Sequence, residues 1–377
     1  MRVDPALRQR AEQARAWMMD AAFPLWAEQG CHDGVGFCEA LDLQGRPIMA
    51  ATSRVRVQAR QTYSFALAFA LGWQSDRATD LVSYGLDTLT IHCQRSDGLF
   101  GTLLDHCGGL KDDSPLLYDT AFALLAFAEV LRAGFNEAAP ILEATDAAIE
   151  AQLRRPPPGE GYGETLPHPA DRNQNPHMHL YEASLAMAEV ARDSGMARAQ
   201  DLEALMERRF LSLGDGGLRE RFTGDWGPHP DDHFEAGHQY EWVWLLHKRS
   251  RLNAQPVSSA AKGLYQKAMA LTEPKGALFL EHTLEGTIRA PYQRCWGLTE
   301  ALKAHLAQLE TGNETTLERA IMVFDRLWDL HISPAVEGGW IDRYDQDNEP
   351  LSKDIPASTG YHIFLALREL IRVADLS

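Results

Sequence analysis

Two kinds of helical pattern alternate along the 377-residue chain. Some stretches are apolar almost throughout: SFALAFALGW (64–73), TAFALLAFAEVL (120–131) and YEASLAMAEVA (181–191). Such density suits helices buried on most sides. Others, such as RATDLVSYGLDTLTIHC (77–93) and ERAIMVFDRLWDLHI (318–332), are apolar along one face only and suit an outer layer. The pattern predicts an all-α protein with inner helices starting near Arg54, Pro115, Asn175, Gly237, Pro291 and Ser358.

Between the helical pairs lie six short Gly-aromatic segments: GVGFCEALDLQG from Gly34, DGLFGTLLDHCG from Asp97, EGYGETLPHPAD from Glu160, GGLRERFTGDWG from Gly216, GALFLEHTLEG from Gly276 and GGWIDRYDQDNE from Gly338. They recur every 55 to 65 residues or roughly so, a period that marks a repeated unit. Each alternates apolar and polar residues before a turn residue, which predicts a small β-hairpin or extended loop. Inner helices join the next outer helix through short connections around Gly72, Gly134, Gly195 and Gly312. The long segments lead back inward, so they gather on one face, where function concentrates. The repeats lack polar capping units, which favours a closed ring over an open solenoid. The expected architecture is a single (α/α)6 barrel over residues 1–377.

Polar residues open each expected inner helix. They are Arg54, Arg56, Gln58 and Arg60; Tyr118, Asp119 and Thr120; Asn175, His177, His179 and Glu182; Glu235, His238, Glu241 and Trp242; Arg294, Trp296 and Glu300; and Tyr361 with His362. Asn175, His179 and Glu182 share one helical face, as do His238 and Glu241, and Trp296 and Glu300. His177 diverges from His179. A carboxylate beside an imidazole fixes its tautomer and raises its basicity. A lone helical histidine is more often structural, but polar clusters at one phase of every repeat are hard to explain as packing.

The formal net charge of −17 disfavours nucleic acid and anionic membranes as partners. The five cysteines, Cys31, Cys38, Cys93, Cys107 and Cys295, form no CxxC pair, which fits a reducing compartment. The first residues, MRVDPALRQRAEQARAW, carry charges where a secretory signal needs an apolar stretch, so a cytoplasmic location is expected. HMH and HPDDHFEAGH contain ligand-capable groups, but neither has the spacing of a helical metal motif, and no metal or cofactor is expected. No phosphate-cradling glycine loop or GxSxG elbow occurs. Nothing in the pattern specifies an oligomeric state.

Taken in order from RVRVQARQ to TGYHIF, these motifs resemble the N-acylglucosamine 2-epimerase superfamily. The resemblance implies an (α/α)6 barrel and a small monosaccharide substrate. It matches His238, in GHQYEW, and His362 to the family's acid/base histidines, and His179, in NPHMHLYEA, to a third active-site histidine. Arg60 looks like the arginine contacting the substrate oxygens, with Arg54 and Arg56 as close competitors. Tyr118, Asn175, Glu182, Glu241, Trp296 and Glu300 correspond to sugar-pocket positions. The tandem histidines lean toward the mannose isomerases, implying metal-independent interconversion of D-mannose and D-fructose through a cis-enediol or enediolate. A 2-epimerase on a free or N-acylated sugar is the alternative, followed by a mannose-6-phosphate or sulfoquinovose isomerase. For a phosphate, Arg172, Arg219, Arg221 and Arg294 are the spare cations. A glycoside hydrolase using Glu241 and Glu300 would be a different class, and a non-turning-over sugar-binding protein another.

Overall fold

The computed structural model describes residues 4–31, 35–49, 52–155, 159–168, 171–190, 192–212, 214 and 216–375. Gly34, Pro169 and Ala170, in the first and third Gly-aromatic segments, lie outside them, as does Ala191 at the end of the third apolar stretch.

The helices in chain order are α1 (Pro5–Trp17), α2 (Phe23–Gln29), α3 (Val55–Ala70), α4 (Ser75–Asp87), α5 (Leu117–Arg132), α6 (Ala138–Ala148), α7 (Gln174–Val190), α8 (Arg192–Leu205), α9 (Ala236–Asn253), α10 (Ala260–Ala270), α11 (Cys295–Glu310), α12 (Leu317–Arg326) and α13 (Ala357–Asp375). The densely apolar ones, α3, α5, α7, α9, α11 and α13, pack side by side in a ring that closes α13 onto α3. Each is buried nearly all round; on α5 every residue from Asp119 to Val130 is buried. Each fully buried Leu or Phe contributes about 1.5–3 kcal/mol of transfer free energy, which is why these stretches take the inner layer. Helices α4, α6, α8, α10 and α12 back the inner helix that precedes them, and α1 backs α13. The chain's two ends thus form the sixth hairpin, and the fold is an (α/α)6 barrel. No helix among the described residues is long and apolar enough to cross a membrane.

The Gly-aromatic segments form short antiparallel strands on one face: β1 (Ala40–Leu41), β2 (Thr52–Arg54), β3 (Leu103–Asp105), β4 (Leu110–Asp112), β5 (Arg172–Asn173), β6 (Arg221–Phe222), β7 (Phe234–Glu235), β8 (Phe279–His282), β9 (Ile288–Arg294), β10 (Arg343–Asp345) and β11 (Ile355–Pro356). Strand β1 pairs with β11, Ala40 opposite Pro356, so the loop layer closes where the helix ring does. This pairing settles the choice against a solenoid. Outer helices α1, α4, α6, α8 and α12 each run into a π-helical turn, as at Thr88–Cys93 and Leu327–Ile332.

Two expectations are corrected. The fifth inner helix starts at Cys295 rather than near Pro291, because Ile288–Arg294 is a strand in the four-stranded sheet β10-β9-β8-β7. Gly195 is not a join but lies within α8. A Cβ there would come within 2.5 Å of the Ala188 backbone nitrogen, so glycine permits the close approach of α8 to α7. Gly72, Gly134 and Gly312 do follow helix ends in the left-handed region, where an orphan carbonyl turn favours glycine.

Candidate active site

The amino ends of all six inner helices open into one cavity of about 630 Å³. Arg54, Arg56, Arg60, Tyr118, Asn175, His179, Glu235, His238, Glu241, Arg294, Trp296, Ser358, Thr359 and His362 line it from below. The 351–354 loop, with Lys353, lines its mouth. Convergence follows from the repeat: residues at the same phase of successive hairpins meet on the barrel axis.

His238 and His362 flank Trp296, whose ring centroid lies 5.0 Å from one and 5.9 Å from the other. Gly237 makes the stacking possible, since a Cβ there would sit 2.3 Å from the indole. His238 Nδ1 is 3.0 Å from Glu220 Oε1 and 3.7 Å from Glu235 Oε2. His362 Nδ1 is 2.9 Å from Glu300 Oε1. With Nδ1 bonded to a carboxylate, each ring keeps Nε2 for the cavity. The two environments differ in sign. Burial opposes protonation of His238, but Glu220 and Glu235 outweigh it and hold the ring well above its ordinary value. Burial, aided by Arg60, Lys303, His179 and Arg294, pushes His362 well below. One imidazole is poised as acid, the other as base, a separation typical of paired acid/base groups.

His179 is bonded through Nδ1 to Glu182 at 3.1 Å, and burial pushes it down to about 4 despite that partner. His177 turns away, as the two-residue spacing requires. It accepts from the Tyr162 amide at 3.1 Å and packs on Phe210 and Trp226. Of the three arginines, Arg54 is paired with Glu39 and Arg56 with Asp119. Arg60 instead donates to the Ser358 carbonyl at 3.0 Å and the Tyr118 hydroxyl at 2.9 Å. No carboxylate among the described residues forms an ion pair with it, so its charge remains available to the cavity.

Glu241 lines the cavity with both oxygens buried and without hydrogen-bond partners. Burial and the neighbouring Glu300 and Glu182 push its carboxyl well above the usual range. Asn175 Oδ1 is likewise unpartnered at the cavity wall.

Glu182 and Glu300 depart from the expected substrate contacts. Neither lines the cavity. They are fully buried behind the histidines, Glu182 between His179 and the Tyr361 hydroxyl, Glu300 between His362 and Lys303. Their helical spacing put them on the inner face, but each sits one turn farther from the helix amino end than His179 or Trp296 and so lies deeper in the barrel. The spare arginines also resolve. Arg172 is buried over Trp226 and bonded to the Glu160 and Tyr162 carbonyls; Arg219 pairs with Asp232, Arg221 with Asp231, and Arg294 with Asp342. Only Arg294 of the four reaches the cavity. Sequence reasoning missed Glu220, which comes from a loop before α9, and Lys353 at the mouth. The one available signal for Glu220 was its place in a Gly-aromatic segment.

Among the described residues, three groups bring metal-capable donor atoms within 4.8 Å: His179 with Glu182 and Glu241, Glu220 with Glu235 and His238, and Glu241 with Glu300 and His362. In each, a carboxylate already engages the histidine's Nδ1, the arrangement of an oriented acid/base group.

Residues 36–366 match the sequence profile of the N-acylglucosamine 2-epimerase (GlcNAc 2-epimerase) family. A curated relative from Rhizobium meliloti (strain 1021), named mannose-6-phosphate isomerase, is 34% identical over 381 residues, spanning 96% of each chain. Another, from Marinomonas mediterranea and named D-mannose isomerase, is 26% identical over 323 residues, covering 78% of this chain and 80% of the relative. The crystal structure of a D-mannose isomerase superposes with a TM-score of 0.86 at 23% identity, covering 99% of this chain and 98% of that one.

Proposed function

The chain belongs to the N-acylglucosamine 2-epimerase family and is an enzyme of sugar isomerisation or epimerisation; from that premise we propose that it interconverts D-mannose and D-fructose. The carrying observation is the pair of oppositely biased histidines flanking Trp296 in one cavity. With open-chain mannose bound, neutral His362 takes the C2 proton while protonated His238 gives its proton to O1. The product is the cis-enediol. His362 then returns its proton to C1, and the O2 hydroxyl proton passes back to His238, leaving the ketose and the starting enzyme. Arg60 and the amino ends of six inner helices supply the positive field that an enediolate-like transition state needs. His179, its Nδ1 proton held by Glu182, offers the Nε2 lone pair to a sugar hydroxyl, Glu241 offers its unpartnered carboxyl, and Trp296 offers a face for the sugar's C–H surface. Catalysis needs no resident metal in this scheme.

Epimerisation would share the first step and deliver a proton to the opposite face of C2. The names of the 34% and 26% identical relatives, both isomerases, favour the ketose. Incubation with D-mannose in deuterium oxide tests the choice. Fructose should dominate, with solvent deuterium at C1 wherever His362 exchanges before returning its proton. Early glucose deuterated at C2 would sink the isomerase reading and leave the enediol standing.

A second reading, a hexose 6-phosphate substrate, is favoured by Lys353. It lines the cavity, as do Arg343 and Arg294, and no carboxylate among the described residues forms an ion pair with it. The name of the Rhizobium meliloti relative points the same way. A higher kcat/KM for mannose 6-phosphate than for mannose would select this reading.

A further inference from the structure

Lys303 is sealed beneath the cavity, with no exposed surface, one helical turn after Glu300 on α11. Its Nζ lies 2.6 Å from Glu300 Oε2 and 4.0 Å from the Trp244 ring centroid. The two form a fully buried ion pair. The other Glu300 oxygen faces His362 Nδ1 at 2.9 Å. Lys303, Glu300 and His362 therefore form a line leading from the sealed core to the cavity. Burying an ammonium is costly unless a charge partner offsets its lost hydration.

We propose that Lys303 is a positioning residue: it holds Glu300 as a carboxylate, so that Glu300 accepts the Nδ1 proton of His362 and leaves the Nε2 lone pair open to the cavity. The inference rests on the assignment of His362 as base. The groups facing this line are Glu241 and His238 on α9, Glu182 and His179 on α7, Tyr361 on α13 and Arg60 on α3. Burial drives the Glu300 carboxyl up to about 7, Glu182 adds to the rise, and Lys303 opposes both. Without the ammonium, Glu300 takes up a proton and donates to Nδ1. The ring then carries its proton on Nε2 and cannot act as base.

The test is a Lys303→Met variant of the full chain, read by pH profile and by ¹⁵N-histidine NMR. At neutral pH kcat should fall about 10–100-fold, the scale of losing a partner that orients an active-site group, with KM near the parent value. The acidic limb of the kcat profile should move to higher pH, because Glu300 must now ionise without help. In the parent enzyme His362 should be neutral with its proton on Nδ1; an Nε2–H ring there overturns the proposal even where the variant fails to fold. A folded variant with parental kcat, acidic limb and tautomer also overturns it. Substitution of His362 separates the two layers: activity surviving His362→Ala removes the base assignment, whereas an inactive His362→Ala beside a parental Lys303→Met removes only Lys303.

Discussion

Both ends of the inner helix ring bury carboxylates, but the two ends treat them differently. At the carboxyl ends, Glu129 is bonded to Arg132 and Arg368, Glu310 to Arg372, and Glu369 to Arg372 and the Trp244 indole. Guanidinium partners there overcome burial and hold Glu369 down to about 2 and Glu129 below its usual range. At the amino ends, Glu182, Glu220 and Glu300 face imidazoles, Glu241 has no hydrogen-bond partner among the described residues, and burial drives Glu241 and Glu300 upward. Fixed ion pairs lock charge in place and serve packing. Histidines set against carboxylates instead hold opposite protonation biases in one cavity, which is what proton transfer through an enediol requires.

The sharpest way to break this comparison is at the histidines. His238→Ala and His362→Ala should each lower kcat by about 10²–10⁴-fold, the usual contribution of one general acid or base, with the helical circular dichroism intact. Activity within a few fold of the parent would remove that residue from the chemistry. At the other end, Glu129→Gln should do the reverse. Removing the charge strands Arg368 and Arg132, and unfolding in urea should show a loss of about 2–3 kcal/mol, under the range for fully buried pairs because Arg132 is a third exposed. Its kcat should stay close to parental; a large loss in kcat would erase the division of labour.

The smallest effect concerns only pH. His238 must be protonated to act as acid, so activity should fall as pH rises through its raised pKa. Glu220→Gln removes the closer of the carboxylates that raise it, and the alkaline limb of kcat/KM should move to lower pH. An unmoved limb would show that another group sets it.

Much of the cavity was legible in the chain because the repeat supplied a phase. His238, His362, His179, Arg60, Tyr118 and Asn175 each stand at the start of an inner helix, and residues at one phase of a closed ring must meet. The same logic placed the amino ends correctly except at α11, where the strand Ile288–Arg294 occupies residues that an inner helix was expected to claim. Glu182 and Glu300 were legible as inward-facing but not as partners of histidines, since depth along a radius is not written in helical period. Glu220 was hidden because it sits 18 residues before the imidazole it touches, on a loop. Lys303 was hidden because a lysine on a helix ordinarily points to water.

Sequence by itself determined the alternation of buried and amphipathic helices, the six loop segments and the residue types that converge on the axis. Those are local matters of periodicity and turn chemistry. Only the tertiary structure decided which nitrogen of each histidine meets a carboxylate, which arginine remains uncompensated and which carboxyls titrate near neutrality. These depend on distances of about 3 Å between groups from different helices and on how far each is withdrawn from water, and both are set by ring closure.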